Sequence, residues 1–239
     1  ARANLNPVVY SHVKTKIGGK AYHIVSRISD AGFDYSNRSN KLAHHFAIEK
    51  LGAIASGPAA ILKNGNQFIS QWDQDPTKLN PKKLAGALPN PRPCNTWKAA
   101  AGDAGWAGNV IEAFQKKKTV YIVVEPSTPA LDLVDELMAL LPLNQQWNFT
   151  FSTFYTKASG NIDCGVRFVM AGSPEVALAR RSQVNVVIDL TQNLGRSNSE
   201  LADNARNGFI VSDTKTGFSI PSVPQTVSTE PIDNEDKDS

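Results

Sequence analysis

Apolar and polar residues alternate along the first part of the chain. Residues 8–29 read VVYSHVKTKIGGKAYHIVSRIS, two β-rich runs around Gly18 and Gly19, a pair suited to the positive φ angles of a tight turn. A two-residue turn pairs Ile17 with Lys20 and predicts an N-terminal β-hairpin. KLAHHFAIE, at residues 41–49, continues the alternation as a third strand, and residues 57–65 and 66–72 read as two further short strands.

The pattern changes after residue 102, where helical and strand periods follow one another. DAGWAGNVIEAFQKKK (103–118) predicts a helix with Asp103 as its N-cap, and TVYIVVEP (119–126) predicts a strand buried on both faces. Two more helices are predicted at 127–142 and 173–182, and three more strands at 147–156, 165–172 and 184–190. The fold class is therefore α/β, with a mixed, partly parallel sheet flanked by helices.

Changes in composition divide the chain. Five prolines between residues 73 and 95 predict a long surface excursion with little regular structure. Residues 1–195 are expected to form one α/β globular domain, and residues 196–211 a short helix or an irregular extension. Residues 212–239 are rich in Ser, Thr and Pro and end in acidic residues, which predicts a disordered tail or a linker. The chain does not begin with Met, so we expect a fragment of a larger protein.

Charge and cysteine content narrow the class of protein. The 239 residues carry a formal charge of +3 with no long Lys/Arg block, so no nucleic-acid partner is expected. No apolar run is long enough to span a bilayer, and no membrane segment is predicted. Cys94 and Cys164 lack metal-site spacing; this usage suits a cytoplasmic protein, and a disulfide between them stays open.

Two adjacent histidines, His44 and His45, fall in the third predicted strand. Successive strand residues point to opposite faces, so the two cannot easily chelate one metal ion. His44 stands in an apolar row with Phe46 and is predicted to be a hydrogen-bonded core residue. His45 lies between Ala43 and Ala47, which leave room beside it, and it is a candidate binding residue.

The hairpin register groups further polar residues. With Gly18–Gly19 as the turn, His12, His23 and Arg27 share one face, and the two histidines become diagonal neighbours at roughly 7–8 Å between backbones. This face is interpreted either as a solvated sheet surface or as an anion- or partner-binding surface with acid–base chemistry through histidine.

Two loops offer other candidates. DYSNRSN contributes Asp34, Tyr35, Arg38 and Asn40 as residues that can hold a ligand.

GDAGWAG (102–108) contributes Asp103 and Trp106. It precedes a helix, but no Lys follows where a phosphate loop needs one, so close packing around Trp106 is the preferred interpretation. No GxSxG, HExxH or paired-carboxylate motif is present, and neither a cofactor nor a metal is predicted.

Several motifs in a fixed order resemble a known family. YSHVKTKIGGKAYHIVSRISDAGFDYSNRSNKLAHHFAI, followed by GP, GDAGWAG, FTFSTFYT and VIDLT, resembles the type 2 N-terminal domain of bacterial GTPase-associated proteins, over roughly Tyr10 to Leu194. The matching positions are Ser11, His12, Ser26, Arg27, Asp30, Gly32, Asp34, Tyr35, Arg38, Asn40, His44, His45, Asp103, Gly105 and Trp106. The resemblance implies a multi-module protein that acts with a separate GTPase in a conflict or signalling system, and it supplies no catalytic residues.

Three hypotheses for function follow. The first is a non-enzymatic protein-interaction or adaptor domain whose candidate partner is a GTPase. The second is a ligand-binding or hydrolytic domain that uses the strand histidines and the loop 34–40. This second hypothesis requires Arg38, His45 and Asp103 to converge in one pocket. The third is a structural component of a larger assembly, which requires a broad apolar patch or an ordered tail.

Overall fold

A computed structural model describes residues 7–33, 35–52, 54–73, 75–88, 90–156 and 162–211. The strands are β1 Val9–Ile17, β2 Lys20–Phe33, β3 Ser39–Ile48, β4 Val120–Val124, β5 Phe151–Ser152, β6 Val166–Met170 and β7 Val186–Asp189. The helices are α1 Pro58–Lys63, α2 Asn95–Ala101, α3 Gly105–Gln115, α4 Ala130–Ala139, α5 Leu143–Gln146, α6 Pro174–Arg181 and α7 Ala202–Asn207. A 3-10 turn covers Gly65–Gln67.

The N-terminal hairpin has the predicted register. Gly18 and Gly19 both have positive φ, at 57° and 82°, and they place Ile17 opposite Lys20 and His12 opposite Val25. Glycine populates this region at no steric cost, so the turn fixes the pairing of β1 with β2.

All seven strands form one mixed sheet in the order β3-β2-β1-β5-β6-β4-β7. The three N-terminal strands are antiparallel, and β1 also pairs antiparallel with β5. In the second half of the sheet, adjacent strands are parallel, in the order β5, β6, β4 and β7. The predicted α/β class, with a mixed and partly parallel sheet, is confirmed.

One face of the sheet, the helix-covered face, carries the main core. This side carries Val25 of β2, Phe151 of β5, Val166 of β6 and Val120 of β4, and each is fully buried. Apolar residues of α1, α2, α3 and α4 pack against them in one continuous cluster. Burial of apolar side chains at about 1.5–3 kcal/mol each makes this layer the main source of stability.

The opposite face is only half covered. Val176 and Ala179 of α6 pack on Tyr121, Val123 and Val169 of the parallel strands. Over β1, β2 and β3, no helix in the described ranges covers this side, and its apolar side chains stay partly exposed. We call this region the open face and define it by Ser11, Val13, Ile24, Ser26, Ile28 and His45.

Some predicted elements were wrong. Residues 57–65 were expected to form a short strand, but Pro58–Lys63 form α1, because Pro58 suits a first helical turn and Ala59, Ile61 and Leu62 bury one helical side. Residues 66–72 were expected to form another short strand, but none of them lies in a strand. The predicted strand at 147–156 is reduced to the two residues of β5, and α2 and α5 were not predicted.

The excursion after residue 72 contains no helix or strand among its described residues before α2, as predicted. The extension after residue 195 contains the short helix α7, which packs on α3. The tail predicted for residues 212–239 lies outside the described residues.

Candidate functional site

The open face has a regular arrangement of side chains. Ser11, Ser26 and His45 lie opposite one another across β1, β2 and β3 and form a central polar row. Val13 and Ile24 flank this row on one side, with Ala47 next to them on β3; Val9, Ile28 and Ala43 form the corresponding row on the other side. A polar row between two apolar rows thus crosses three strands.

This surface is concave. Phe154, Tyr155 and Ile162 rise beside the open face and enclose with it a cavity of about 310 Å³. Arg167 lies over the rings of Tyr121 and Tyr155, at 5.2 and 4.5 Å from their centroids. These cation–π contacts hold Tyr155 as a fixed wall of the concavity.

His45 is on the open face, as strand alternation predicted. Its Nδ1 lies 2.7 Å from Oγ of Ser26, the residue opposite it on β2. No carboxylate of the described part of the chain bonds to this imidazole. A Ser-His pair in hydrolases needs an orienting third group and an oxyanion site, so the geometry alone does not make Ser26 a nucleophile.

His44 is on the helix-covered side, as predicted. Its Nδ1 accepts a hydrogen bond from the Ile69 N–H at 2.8 Å, and its ring packs against Phe46 and Phe68. Burial lowers the pKa of His44 below its ordinary value, with nearby Lys82 as a further cause. His44 is therefore hydrogen-bonded on the helix-covered side, as the sequence indicated, but it is only partly buried and is not a core residue.

His12 and His23 are brought together, as the hairpin register predicted. His12 Nε2 lies 3.0 Å from His23 Nδ1, and the two rings stack at a centroid distance of 5.3 Å. Trp147 packs edge-on against both rings. The face to which they belong is nevertheless covered at its centre, since His12 has no exposed surface, while His23 and Arg27 are half-buried. The expectation that this face is solvated was wrong, because the helix layer and Trp147 cover it.

Hydrogen bonding fixes the protons of this pair. A carbonyl oxygen accepts only, so His12 Nδ1 donates to the Phe149 oxygen at 2.8 Å. In neutral His12, Nε2 must then accept, and His23 Nδ1 donates to it. Burial is the main cause that lowers the pKa of His12 from 6.5 to about 3; the pKa of His23 is also lowered, chiefly by burial.

The loop candidates do not join this pair. Tyr35 is fully exposed, Asn40 is exposed, and Arg38 donates from Nε to Ser36 Oγ within the same exposed loop. Arg27 is half-buried and donates to Ser29 Oγ. Asp34 lies outside the described residues.

Asp103 organises a junction at the start of α3. Its carboxylate accepts from the N–H groups of Gly105 and Ser197 at 3.0 and 2.8 Å, and Arg206 of α7 binds both of its oxygens. The Arg206 guanidinium is the main cause that holds the pKa of Asp103 well below its usual range. This carboxylate already occupies the N-terminus of α3, so the helix end does not attract another anion.

The glycines of GDAGWAG serve close packing. A side chain at Gly108 would overlap the carbonyl of Leu201, and one at Gly105 would crowd Arg206 and Ala202. Trp106 Nε1 donates to the Gly195 oxygen at 3.0 Å. The motif thus joins α3 to α7 and to the loop after β7.

Gly108→Ala is therefore expected to lower the free energy of unfolding by about 2 kcal/mol, because the new methyl group must separate α3 from α7. Gly52→Ala is the matched control, since a Cβ there meets nothing within 4 Å, and it should change stability by less than about 0.5 kcal/mol. Urea denaturation followed by circular dichroism measures both. Equal stabilities for the two variants would contradict this account of the junction.

Arg38, His45 and Asp103 do not converge. His45 is on edge strand β3, whereas Asp103 belongs to the junction of α3 with α7, and α3 packs near β4 at the other end of the sheet. Cys94 and Cys164 are buried free thiols, each with its pKa raised to about 12 by burial. Within the described ranges, no three metal-ligating side chains are grouped as a metal site, and no helix is long and apolar enough to cross a membrane.

Fold and site together define an α/β domain with one half-open sheet and no convergent catalytic group among the described residues. Residues 1–85 match the family model for GTPase-associated protein 1, N-terminal domain type 2, and residues 94–192 match GTPase-associated protein 1, middle domain. The chain belongs to this GTPase-associated protein family. Searches of curated proteins and of solved structures found no match.

The family predicted from the sequence is confirmed, with a change in extent. The resemblance to the N-terminal domain was expected to run to Leu194, but the matches assign GDAGWAG, FTFSTFYT and VIDLT to the middle domain. The two matched regions share one sheet, because β1 of the first pairs with β5 of the second.

Proposed function

We propose that this chain is a non-catalytic interaction domain and that it binds a GTPase through the open face. The observation that carries the proposal is the half of this sheet face that no helix of the described residues covers. Strands β1 and β2 present Val13, Ile24 and Ile28 partly exposed, while the part of the same face over the parallel strands is covered by α6. A partly apolar sheet surface without a covering layer is the type of surface that protein partners bind.

The family membership supports the identity of the partner. Both matched regions are domains of GTPase-associated protein 1. Three residues that carry the sequence resemblance, Ser11, Ser26 and His45, form the central polar row of the open face. Polar groups at the centre of an apolar patch fix register and specificity in an interface.

The geometry favours this proposal over the hydrolytic alternative. His12 is buried between Trp147 and Phe149, and its partner His23 is half-buried against Trp147. His45 has only the hydroxyl of Ser26 as its hydrogen-bond partner among the described residues. A broad structural interface would require more apolar area than this shallow concavity presents.

We also propose the organisation within which this domain works. Residues 1–195 act as one unit, which the β1–β5 pairing and the shared core support. Residues 196–211 extend it by packing on α3, and residues 212–239 serve as a linker or tail. The two free thiols support a cytoplasmic location.

A binding experiment with an open-face variant tests the proposal. The full chain is immobilised and exposed to extract of its source organism with either GDP or a non-hydrolysable GTP analogue. The recovered GTPase is then purified and titrated by calorimetry. Ile24→Asp should weaken its binding at least tenfold, because it places a charge in the apolar row of the interface.

Val184→Asp is the matched control, because Val184 is 71% exposed and lies between α6 and β7, away from the open face. It should leave the affinity within twofold. Circular dichroism confirms that both variants fold. If no GTPase is recovered in either nucleotide state, or if both variants bind equally, the proposal is wrong.

A further inference from the structure

The outermost strand of the open half, β3, has a free edge. It spans ten residues and, within the part of the chain that the structure describes, pairs only with β2, whereas the strand at the other end of the sheet, β7, spans four. In an antiparallel pair, every second residue of an edge strand points its N–H and C=O away from the sheet. Such a row of groups is a template for another strand.

Natural proteins protect free edges with charges, prolines or short strands. Strand β7 is protected because it is only four residues long. Residues 42–48 of β3 read LAHHFAI and contain no Pro, Asp, Glu, Lys or Arg. The central part of β3 therefore lacks each of these protections.

A groove runs along this edge. It has a volume of about 670 Å³, and its two walls are residues 44–49 and residues 79–84. Successive side chains of a strand alternate between faces, so a groove that touches six consecutive residues must follow the backbone edge. Six residues at 3.3 Å each make it about 20 Å long.

The outer wall is held in place by Gln67. The Ala85 N–H donates to Gln67 Oε1 at 2.7 Å, and Gln67 Nε2 donates back to the Ala85 oxygen. Lys82 Nζ donates to the Gln67 backbone oxygen at 3.1 Å. Gly86 packs so closely on α1 that a Cβ would lie 2.8 Å from the Ala60 carbonyl carbon. The wall is therefore anchored beside β3 while the groove stays open.

The lining favours a particular side-chain pattern. Phe46, Ile48, Ile69 and Leu84 contribute apolar surface to the groove. Lys82 and Lys83 supply positive charge on the outer wall, and the acid at the end of β3, Glu49, is already paired with Lys20 at 3.4 Å. An extended segment that alternates apolar and acidic residues is complementary to both features.

The charge of the chain agrees with this choice. Residues 212–239 hold six acidic and two basic residues and therefore carry a charge of −4. Because the whole chain carries +3, residues 1–211 carry +7. An acidic segment is therefore attracted to the body of the domain as well as to the groove.

We propose that this groove binds an extended acidic-apolar peptide segment of a protein partner, which adds to β3 as an eighth strand. Main-chain hydrogen bonds to β3 supply affinity, and the apolar lining and the lysines supply specificity. This site shares only His45 with the residues that define the open face, and Ile24 and Lys83 each belong to one site alone, so variants at these two positions distinguish its failure from the failure of the GTPase proposal.

Synthetic peptides test the groove with the full chain. The probe is fluorescein-labelled EVEIEVE, and the charge control is KVKIKVK; binding is measured by fluorescence polarisation. EVEIEVE should bind and KVKIKVK should not. Two further versions of EVEIEVE are N-methylated at alternate amides, so that each version blocks hydrogen bonding along one edge of the extended peptide. At least one of them should bind tenfold or more weakly than EVEIEVE.

Variants locate the site. Lys83→Glu should weaken EVEIEVE binding at least tenfold, whereas Lys16→Glu, on the exposed end of the hairpin, should leave it within twofold. Ile24→Asp should also leave it unchanged. Hydrogen exchange should show new protection of amides in residues 44–48 when EVEIEVE is bound.

Two competitors complete the test. Residues 230–239 contain five acidic residues, and a full chain in which these are changed to Asn or Gln measures their competition for the groove. Tighter EVEIEVE binding by that variant, or equal binding, supports the groove as an acidic-peptide site. Absence of EVEIEVE binding to both chains overturns the proposal. So does displacement of the peptide by oligothymidylate, or new protection confined to residues outside β3.

Discussion

Lowering the pH from 7 to 5 is expected to remove about 2 kcal/mol from the free energy of unfolding through His12 alone. The cause is burial, which lowers the pKa of this histidine from 6.5 to about 3. Between these two values the unfolded chain binds a proton that the folded chain cannot accept. The contribution is fully present above about pH 6.5 and is lost progressively as the pH falls. At about pH 3 the loss amounts to about 4 kcal/mol.

The contacts of His12 explain why the proton is refused. Its Nδ1–H is already donated to the Phe149 oxygen, and its Nε2 receives the proton of His23 Nδ1. Protonation would break the second hydrogen bond and place a cation against the edge of Trp147, near Lys14. The pKa of His23 is lowered as well, so His23 acts in the same direction.

Comparison with a variant isolates His12 from the other titrating groups. His12→Asn keeps an N–H donor near the position of Nδ1 but does not titrate. Urea denaturation at pH 7 and pH 5 should show that the wild-type chain loses about 2 kcal/mol more than His12→Asn on acidification. Carbon-13 shifts of the His12 ring should stay those of a neutral imidazole at pH 5. An imidazolium ring at pH 6, or parallel acid losses for the two proteins, would contradict the prediction.

Local sequence rules were sufficient for the hairpin. Gly18–Gly19 fixes a two-residue turn, and the period of two along a strand then assigns every side chain to a face. The pairing of His12 with His23 and the separation of His44 from His45 both follow from these two facts. Neither required any information about the rest of the chain.

The same rules could not decide which face is buried. His12 and Arg27 made their face look polar, yet Trp147 and Phe149, which lie more than 130 residues from His12 in sequence, cover this histidine. The burial of a polar sheet face depends on these distant partners. The open face was missed for the same reason, since its apolar residues alternate as core residues do.

Short apolar runs caused the other errors. PAAILK has six residues, a length at which strand and helix cannot be separated by periodicity alone. The groove beside β3 depends on Gln67 and on a proline-rich excursion whose path no local pattern determines. The junction around Asp103 needed α7, where the sequence indicated only a short helix or irregular extension.

Glu136 was also missed, and its removal is expected to have a large effect on stability. This residue of α4 is buried, and its carboxylate accepts from the N–H and hydroxyl of Thr96 at 2.8 and 2.7 Å. It also accepts from the Trp97 N–H at 3.1 Å. The two N–H groups belong to the first turn of α2, which has no intrahelical partners for them. Glu136 of α4 therefore caps the N-terminus of α2.

Glu136→Ala is expected to lower the free energy of unfolding by about 4 kcal/mol, because it leaves two N–H groups at the start of α2 without a partner. Glu136→Gln keeps one acceptor oxygen without the charge and should lose about half as much. Asp132→Ala in the same helix removes a surface ion pair with Lys63 and should cost less than about 1 kcal/mol. Urea denaturation of the three variants measures this order. If Glu136→Ala and Asp132→Ala are equally stable, α2 does not depend on the carboxylate, and its N-terminus must be satisfied by water instead.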